Sequence, residues 1–192
     1  LFRSFQRTPT SYASVSDLVN APINTTRATG GLDGSFGSFS LTEVGNVFNM
    51  SGGTINIYDV CGNTFPNVNN EKAFEVLSDA TNIEVTGGTV VVLPTTGTAS
   101  VDSPNYRIIS SAPFGNLSIN RQSGTSAVLL TNNSIQVLNN FSILSGVFDA
   151  NNLNLTIGGN MFVGNATTYT PGTNWTIFNG SNNQTITANT AS

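Results

Sequence analysis

From Phe114 onward, short apolar runs alternate with Asn, Gly, Ser and Thr. The runs are NLSI, AVLL, IQVL, FSIL, VFDA, LNLTI, MFV, TYT, WTIF and QTIT. They are rich in β-branched and aromatic residues and bounded by turn formers, the pattern of short strands. They are too short and too interrupted to cross a bilayer as helices. Corresponding runs recur at a near-constant interval: Ile135 to Leu153 is 18 positions, Phe141 to Met161 is 20, and Leu153 to Trp175 is 22. Three short strands per interval predict an all-β chain, a parallel β-helix or β-solenoid with about 20 residues per turn. Ile, Val, Leu and Phe would then point inward and stack on the same position of the next turn. Asn-Asn, Gly-Gly and Ser-Gly pairs would form the corners, where positive φ is tolerated. Corner Asn side chains would ladder from turn to turn and satisfy backbone groups. Seven to nine turns, each rising by one strand spacing, would make a rod of about 35–45 Å.

Upstream the rhythm is slower. SFGSFSL alternates apolar and small residues as a strand does. VFNMSGGTINIYDV and NIEVTGGTVVVLP are near-duplicates, with Gly52-Gly53 and Gly87-Gly88 lying 35 positions apart. That gap holds either two turns or one turn with an insertion. Between them, Glu71, Glu75 and Asp79 are spaced as on a helix, and Ala73, Phe74 and Leu77 could line its other face. The turn-forming Asn67, Asn69 and Asn70 favour a loop leading into a strand, FEVL. Residues 1–34, broken by Pro9 and Pro22, read as an extended arm or capping segment. Residues 35–192 read as the solenoid.

Charge narrows the function. Charged residues make up 8% of the chain, against about 25% in ordinary soluble domains. After Arg121 the single charged side chain is Asp149, unlike a disordered tail kept in solution by its charge. The net charge is −4, and Arg3, Arg7, Arg27, Lys72, Arg107 and Arg121 form no run, which argues against nucleic acid as a partner. There is no His, so Ser-His-Asp and Cys-His machinery and His metal sites are excluded. Cys61 is the sole cysteine. It can form no intrachain disulfide and no Cys zinc site, and it reads as a small half-buried strand residue. No apolar signal core is visible near the start, which begins with Leu; the expectation is a mature or excised piece of a longer chain.

Three words in the tail carry a resemblance: GNLSIN at 115–120, LTIGGN at 155–160, and FNGS at 178–181 followed by QTI at 184–186. Residues 114–187 resemble large repeat-bearing surface proteins of the Bacteroidetes, which are exported by the type IX secretion system and in part serve as gliding-motility adhesins. The resemblance implies a secreted, non-catalytic adhesin or stalk at the bacterial cell surface. It implies the type IX outer-membrane machinery as export partner and a surface polysaccharide or solid surface as ligand. No sorting domain of that system is apparent in a chain ending ITANTAS, as expected of an internal fragment. Flanking solenoid turns could stack end to end on its open strand edges.

The alternative is a carbohydrate-active β-helix of the polysaccharide-lyase kind. Its carboxylates would come from Glu71, Glu75, Asp79 and Glu84, the densest acidic group, with Lys72 or Arg107 as base. A solvated loop explains the same group, and a paired-carboxylate mechanism needs a separation that spacing does not give. Asp149-Ala150-Asn151-Asn152 resembles half a calcium set, but no calcium loop accompanies it and Asn corners account for it. The sequons at Asn116, Asn132, Asn140, Asn154, Asn165 and Asn174 read as products of an Asn- and Thr-rich composition rather than glycan acceptors. Tyr58, Tyr106, Tyr169 and Trp175 are candidates for stacking on sugar rings, though Trp175 reads first as a core or end-cap residue. No catalytic, cofactor-binding or metal-binding residue is assigned. If the inward positions are right, Ile143→Ala or Ile157→Ala will each cost about 2–5 kcal/mol as a cavity, measured by denaturant unfolding.

Overall fold

The computed structural model describes residues 14–15, 22–25, 39–57, 72–92, 106–121 and 127–189. Within them the chain is all-β, with one short 3-10 segment, η1 (Ala80–Asn82). It visits three ladders in a fixed cyclic order. The first circuit is β1 (Ser14–Val15), β2 (Pro22–Thr25) and β3 (Phe39–Leu41). The second is β4 (Val47–Met50), β5 (Thr54–Ile57) and β6 (Lys72–Val76), and the third is β7 (Ile83–Val85), β8 (Thr89–Val92) and β9 (Tyr106–Ser110). Phe114, β10 (Asn116–Asn120) and β11 (Val128–Leu130) make the fourth. β12 (Ile135–Val137) and the two halves of β13 (Phe141–Asp149) make the fifth. β14 (Leu155–Ile157), β15 (Met161–Val163) and β16 (Thr167–Thr170) make the sixth, and β17 (Thr176–Phe178) and β18 (Ile186–Ala188) continue beyond it.

Every strand pairs in parallel with its equivalent one circuit away, as in Thr54↔Thr89, Leu117↔Phe141 and Phe141↔Met161. The second and third ladders join into one twelve-stranded sheet, while the first comprises two three-stranded sheets. The result is a mostly parallel sheet that nearly closes round an axis, an arrangement compatible with the expected coil.

The register settles the 35-residue gap. Thr54 pairs directly with Thr89, so the two Gly-Gly-Thr copies are one circuit apart. The extra length lies at one corner, between the second ladder and the third. There the chain leaves β5 at Ile57 and returns at Lys72, and leaves β8 at Val92 and returns at Tyr106. At β10 and β11 the interval shortens, and in β13 one strand runs through the corner, pivoting at Gly146 with φ 89°. The expected FSIL and VFDA strands are therefore a single nine-residue strand. Part of the segment read as an arm also belongs to the ladders, because β1 and β2 pair with β4 and β5.

The finer pairings needed correction. Ile135 pairs with Leu155, not Leu153, and Leu155 pairs with Thr176. Asn151 and Asn152 have φ of 51° and 59°, and the Leu153 N–H closes a turn on the Ala150 carbonyl. The corner is still turning at Leu153, and the strand starts two residues later. FEVL is a strand and no α-helix forms around Glu75.

Inward positions build the core. Phe39 stacks on Phe74 with centroids 5.1 Å apart, and Phe74 meets Phe114 at the same distance. Further along, Phe148 contacts Phe141 at 4.9 Å and Tyr169 at 6.0 Å. Ile143 and Ile157 are fully buried, as their spacing required.

Asparagines connect the circuits at the corner before the second ladder. Asn116 Oδ1 accepts the Asn140 N–H at 3.1 Å, Asn140 Oδ1 accepts the Asn160 N–H at 2.9 Å, and Asn160 Oδ1 accepts the Thr185 N–H at 2.8 Å. Each bond adds about 1 kcal/mol net. Three of the sequons share one arrangement. In Asn116-Leu117-Ser118, Asn140-Phe141-Ser142 and Asn154-Leu155-Thr156, a corner Asn precedes an inward apolar residue and an outward hydroxyl. The side-chain oxygens of these three asparagines accept backbone N–H groups of the next circuit.

Glycine is required at this corner because successive circuits touch there. A Cβ on Gly115 would lie 2.2 Å from the Gly87 carbonyl oxygen, and one on Gly158 would lie 2.2 Å from that of Leu138. Neither obstacle is a movable side chain. Gly115→Ala is therefore expected to lower stability by about 1–3 kcal/mol, read as a shift in the denaturant midpoint; an unchanged midpoint would show that the corner relaxes freely.

Candidate functional site

Of the acidic residues singled out by spacing, the three that are described lie on different elements. Glu75 lies on β6 in the third ladder, Asp79 caps η1, and Glu84 is exposed on β7 in the first ladder. Glu71 lies outside the described residues. Among the described residues no three Asp, Glu, Cys or His side chains form a group that could hold a metal ion.

Glu75 is nearly inaccessible, at 2% exposure. Its carboxylate accepts the Ser40 hydroxyl at 2.9 Å and forms an ion pair with Lys72, which is 22% exposed. Lys72, one of the two bases considered for a lyase, is thus committed to a structural pair, and the other, Arg107, is its neighbour in register. From the sequence the acidic group reads as solvated. The strand alternation in KAFEV was the better signal, though it could not show that the outward side of the third ladder is itself buried. Asp79 accepts the N–H and hydroxyl of Thr81 at 2.9 and 2.7 Å, and these bonds hold its carboxyl below the usual carboxylate range.

Asp149 belongs to a corner. Its carboxylate accepts the Asn151 N–H at 2.7 Å, while Asn151 Nδ2 donates to the Leu130 carbonyl at 3.0 Å. Asn152 Oδ1 accepts from both the N–H and the hydroxyl of Thr173. Asn132, Asn151, Asn152 and Gly172, in the corresponding corner of three circuits, all have positive φ. This is the turn chemistry of Asn and Gly rather than a calcium shell.

The aromatic candidates separate clearly. Tyr106 is buried, with the Arg121 guanidinium 3.6 Å above its ring centroid. Tyr169 packs on Phe148 and hydrogen-bonds Thr176, and burial raises its phenol pKa. Tyr58 and Cys61 lie outside the described residues. Trp175, which reads from the sequence as a core or end-cap residue, is 74% exposed next to the edge strand β17 and so is not in the core. The reason is register: Thr176 pairs with the buried Leu155, so Thr176 and Phe178 take the inward positions and Trp175 and Ile177 face out.

Trp175 stands at one end of an uncharged strip on the outer side of the first ladder. Gln136, Thr156 and Ile177 form one column in register. Beside it, the Asn154 N–H donates to Ser134 Oγ at 3.0 Å, and the Trp175 N–H donates to Asn154 Oδ1 at 3.1 Å. The strip thus offers hydroxyls, amides and an indole face. Comparison of the chain with family models, with curated proteins and with solved structures returned no match.

The buried pair generates a prediction. Lys72→Met will destabilise the protein by about 2–3 kcal/mol, less than the roughly 3–5 of a fully buried pair because Lys72 is partly exposed. Adding Glu75→Leu should recover most of that loss in a double-mutant cycle.

Proposed function

We propose that the chain is a stretch of parallel β-helix, with about 20 residues per turn in its C-terminal half, that acts as an exported adhesive or stalk-forming scaffold on a bacterial surface. The observation that carries the proposal is the first ladder's outer face, where neutral hydrogen-bonding side chains repeat in register from Ser134 to Ile177. A rigid neutral face suits repeated weak contacts with an extended ligand, which sum through multivalency. The tail words shared with type IX-exported surface proteins support the export route and the link to attachment or gliding. The dispersal of Glu75, Asp79 and Glu84 gives the lyase alternative no supporting geometry.

Beads coated with the protein should be retained under flow on polysaccharide-coated or bare solid surfaces more strongly than uncoated beads. The exposed-acid variant Asp79→Asn/Glu84→Gln should retain them equally well. Equal detachment of coated and uncoated beads would overturn the adhesive reading. So would polysaccharide cleavage that the double variant abolishes.

A further inference from the structure

We infer that the outer face of the first ladder around Trp175 is a binding strip for a neutral polysaccharide, with the indole as a stacking platform for one sugar ring. The inference deepens the adhesive reading and rests on it for the extended nature of the ligand; the strip itself stands on geometry. The first observation is exposure without looseness. Trp175 keeps 74% of its surface exposed, yet its backbone is held on both sides, its N–H by Asn154 Oδ1 and its carbonyl by the Leu155 N–H at 3.0 Å. A large apolar face is thus presented from a fixed backbone, which lowers the ordering cost of binding.

The second observation is the company it keeps. Ile177, 40% exposed, lies two residues along on the same face, extending the apolar area by about 7 Å. Thr156, Asn154, Gln136 and Ser134 follow across the ladder in steps of about 4.8 Å. Pyranose rings present an apolar face of C–H groups and an equatorial rim of hydroxyls. An aromatic face bordered by amides and hydroxyls matches both.

The third observation is charge. Among the described residues no charged side chain stands in the columns from Ser134 and Gln136 to Trp175 and Ile177, and Glu84 on β7, in the ladder's other three-stranded sheet, is an anion. The strip therefore offers no cation to an acidic polymer. Its apolar part, one indole and one isoleucine, is also far smaller than the roughly 800 Å² per partner of a stable protein interface.

Native gels containing a soluble neutral glucan or mannan test the inference, with polygalacturonate as the acidic control. The protein should be retarded by at least one neutral polymer and not by polygalacturonate. Trp175→Ala should weaken retardation about tenfold or more, and Trp175→Phe should keep part of it. Gln136→Ala and Thr156→Ala should each weaken it by smaller factors. Unfolding midpoints should not change for Trp175→Ala, because the side chain is exposed. No retardation by either neutral polymer, retardation unchanged in Trp175→Ala, or retardation by polygalacturonate alone would overturn the proposal. Sedimentation showing a dimer that Trp175→Ala dissociates would reassign the strip to self-association and overturn it too. The two proposals fail separately. Bead retention that survives Trp175→Ala, with no gel retardation, sinks the sugar strip alone; gel retardation without bead retention sinks the adhesive role alone.

Discussion

Everything in this molecule depends on one requirement. A backbone N–H in one circuit must find its acceptor in the equivalent residue of the next, one strand spacing away. Parallel pairing supplies this along the strands, as between Ile135, Leu155 and Thr176. At the corners the ladder would lapse, and there side chains stand in for backbone. The Asn116–Asn140–Asn160 chain of amide oxygens carries the bonding round the bend. Where circuits approach too closely for any Cβ, glycine occupies the corner, as at Gly115 and Gly158.

The same requirement divides the surface into faces of different use. Residues two apart on a strand fall on the same side, and residues one circuit apart fall in the same column. Phenylalanines therefore gather on the axis, and Ser, Thr, Asn and Gln gather in outward columns. The third ladder departs from this simple division. Its outward residues Ser40, Glu75 and Ile109 are buried, and there the chain keeps its ion pair with Lys72. Glu75 thus belongs to a closed structural element, while the strip from Ser134 to Ile177 is open and carries no charge.

Much of this was legible in the sequence because the repeat is written in residue types with strong conformational meaning. Asn-Asn and Gly-Gly pairs marked corners, and the 20-residue recurrence of Phe141 and Met161 is a real pairing. Errors arose where periodicity alone had to decide. Leu153 was paired in place of Leu155 because both are apolar, and only the left-handed φ of Asn151 and Asn152 shows where the corner ends. Trp175 reads as a core or end-cap residue because it opens the apolar run WTIF. A one-residue change of phase puts it outside. Glu75 looked solvated because burial of a strand's outer side leaves no local trace.

The unequal size of the circuits has a mechanical consequence. Pulled from its two ends, a stack of this kind yields one circuit at a time from its edge, since each layer is bonded only to its neighbours. The contour length freed at each step is set by the circuit's residue count. Near Phe141 and Met161 a step frees 20 residues, about 70 Å of extended chain, whereas between Thr54 and Thr89 it frees 35, about 120 Å. The chain would therefore lengthen under load in graded increments, short at its C-terminal side and long at the other, and so dissipate work instead of failing at once.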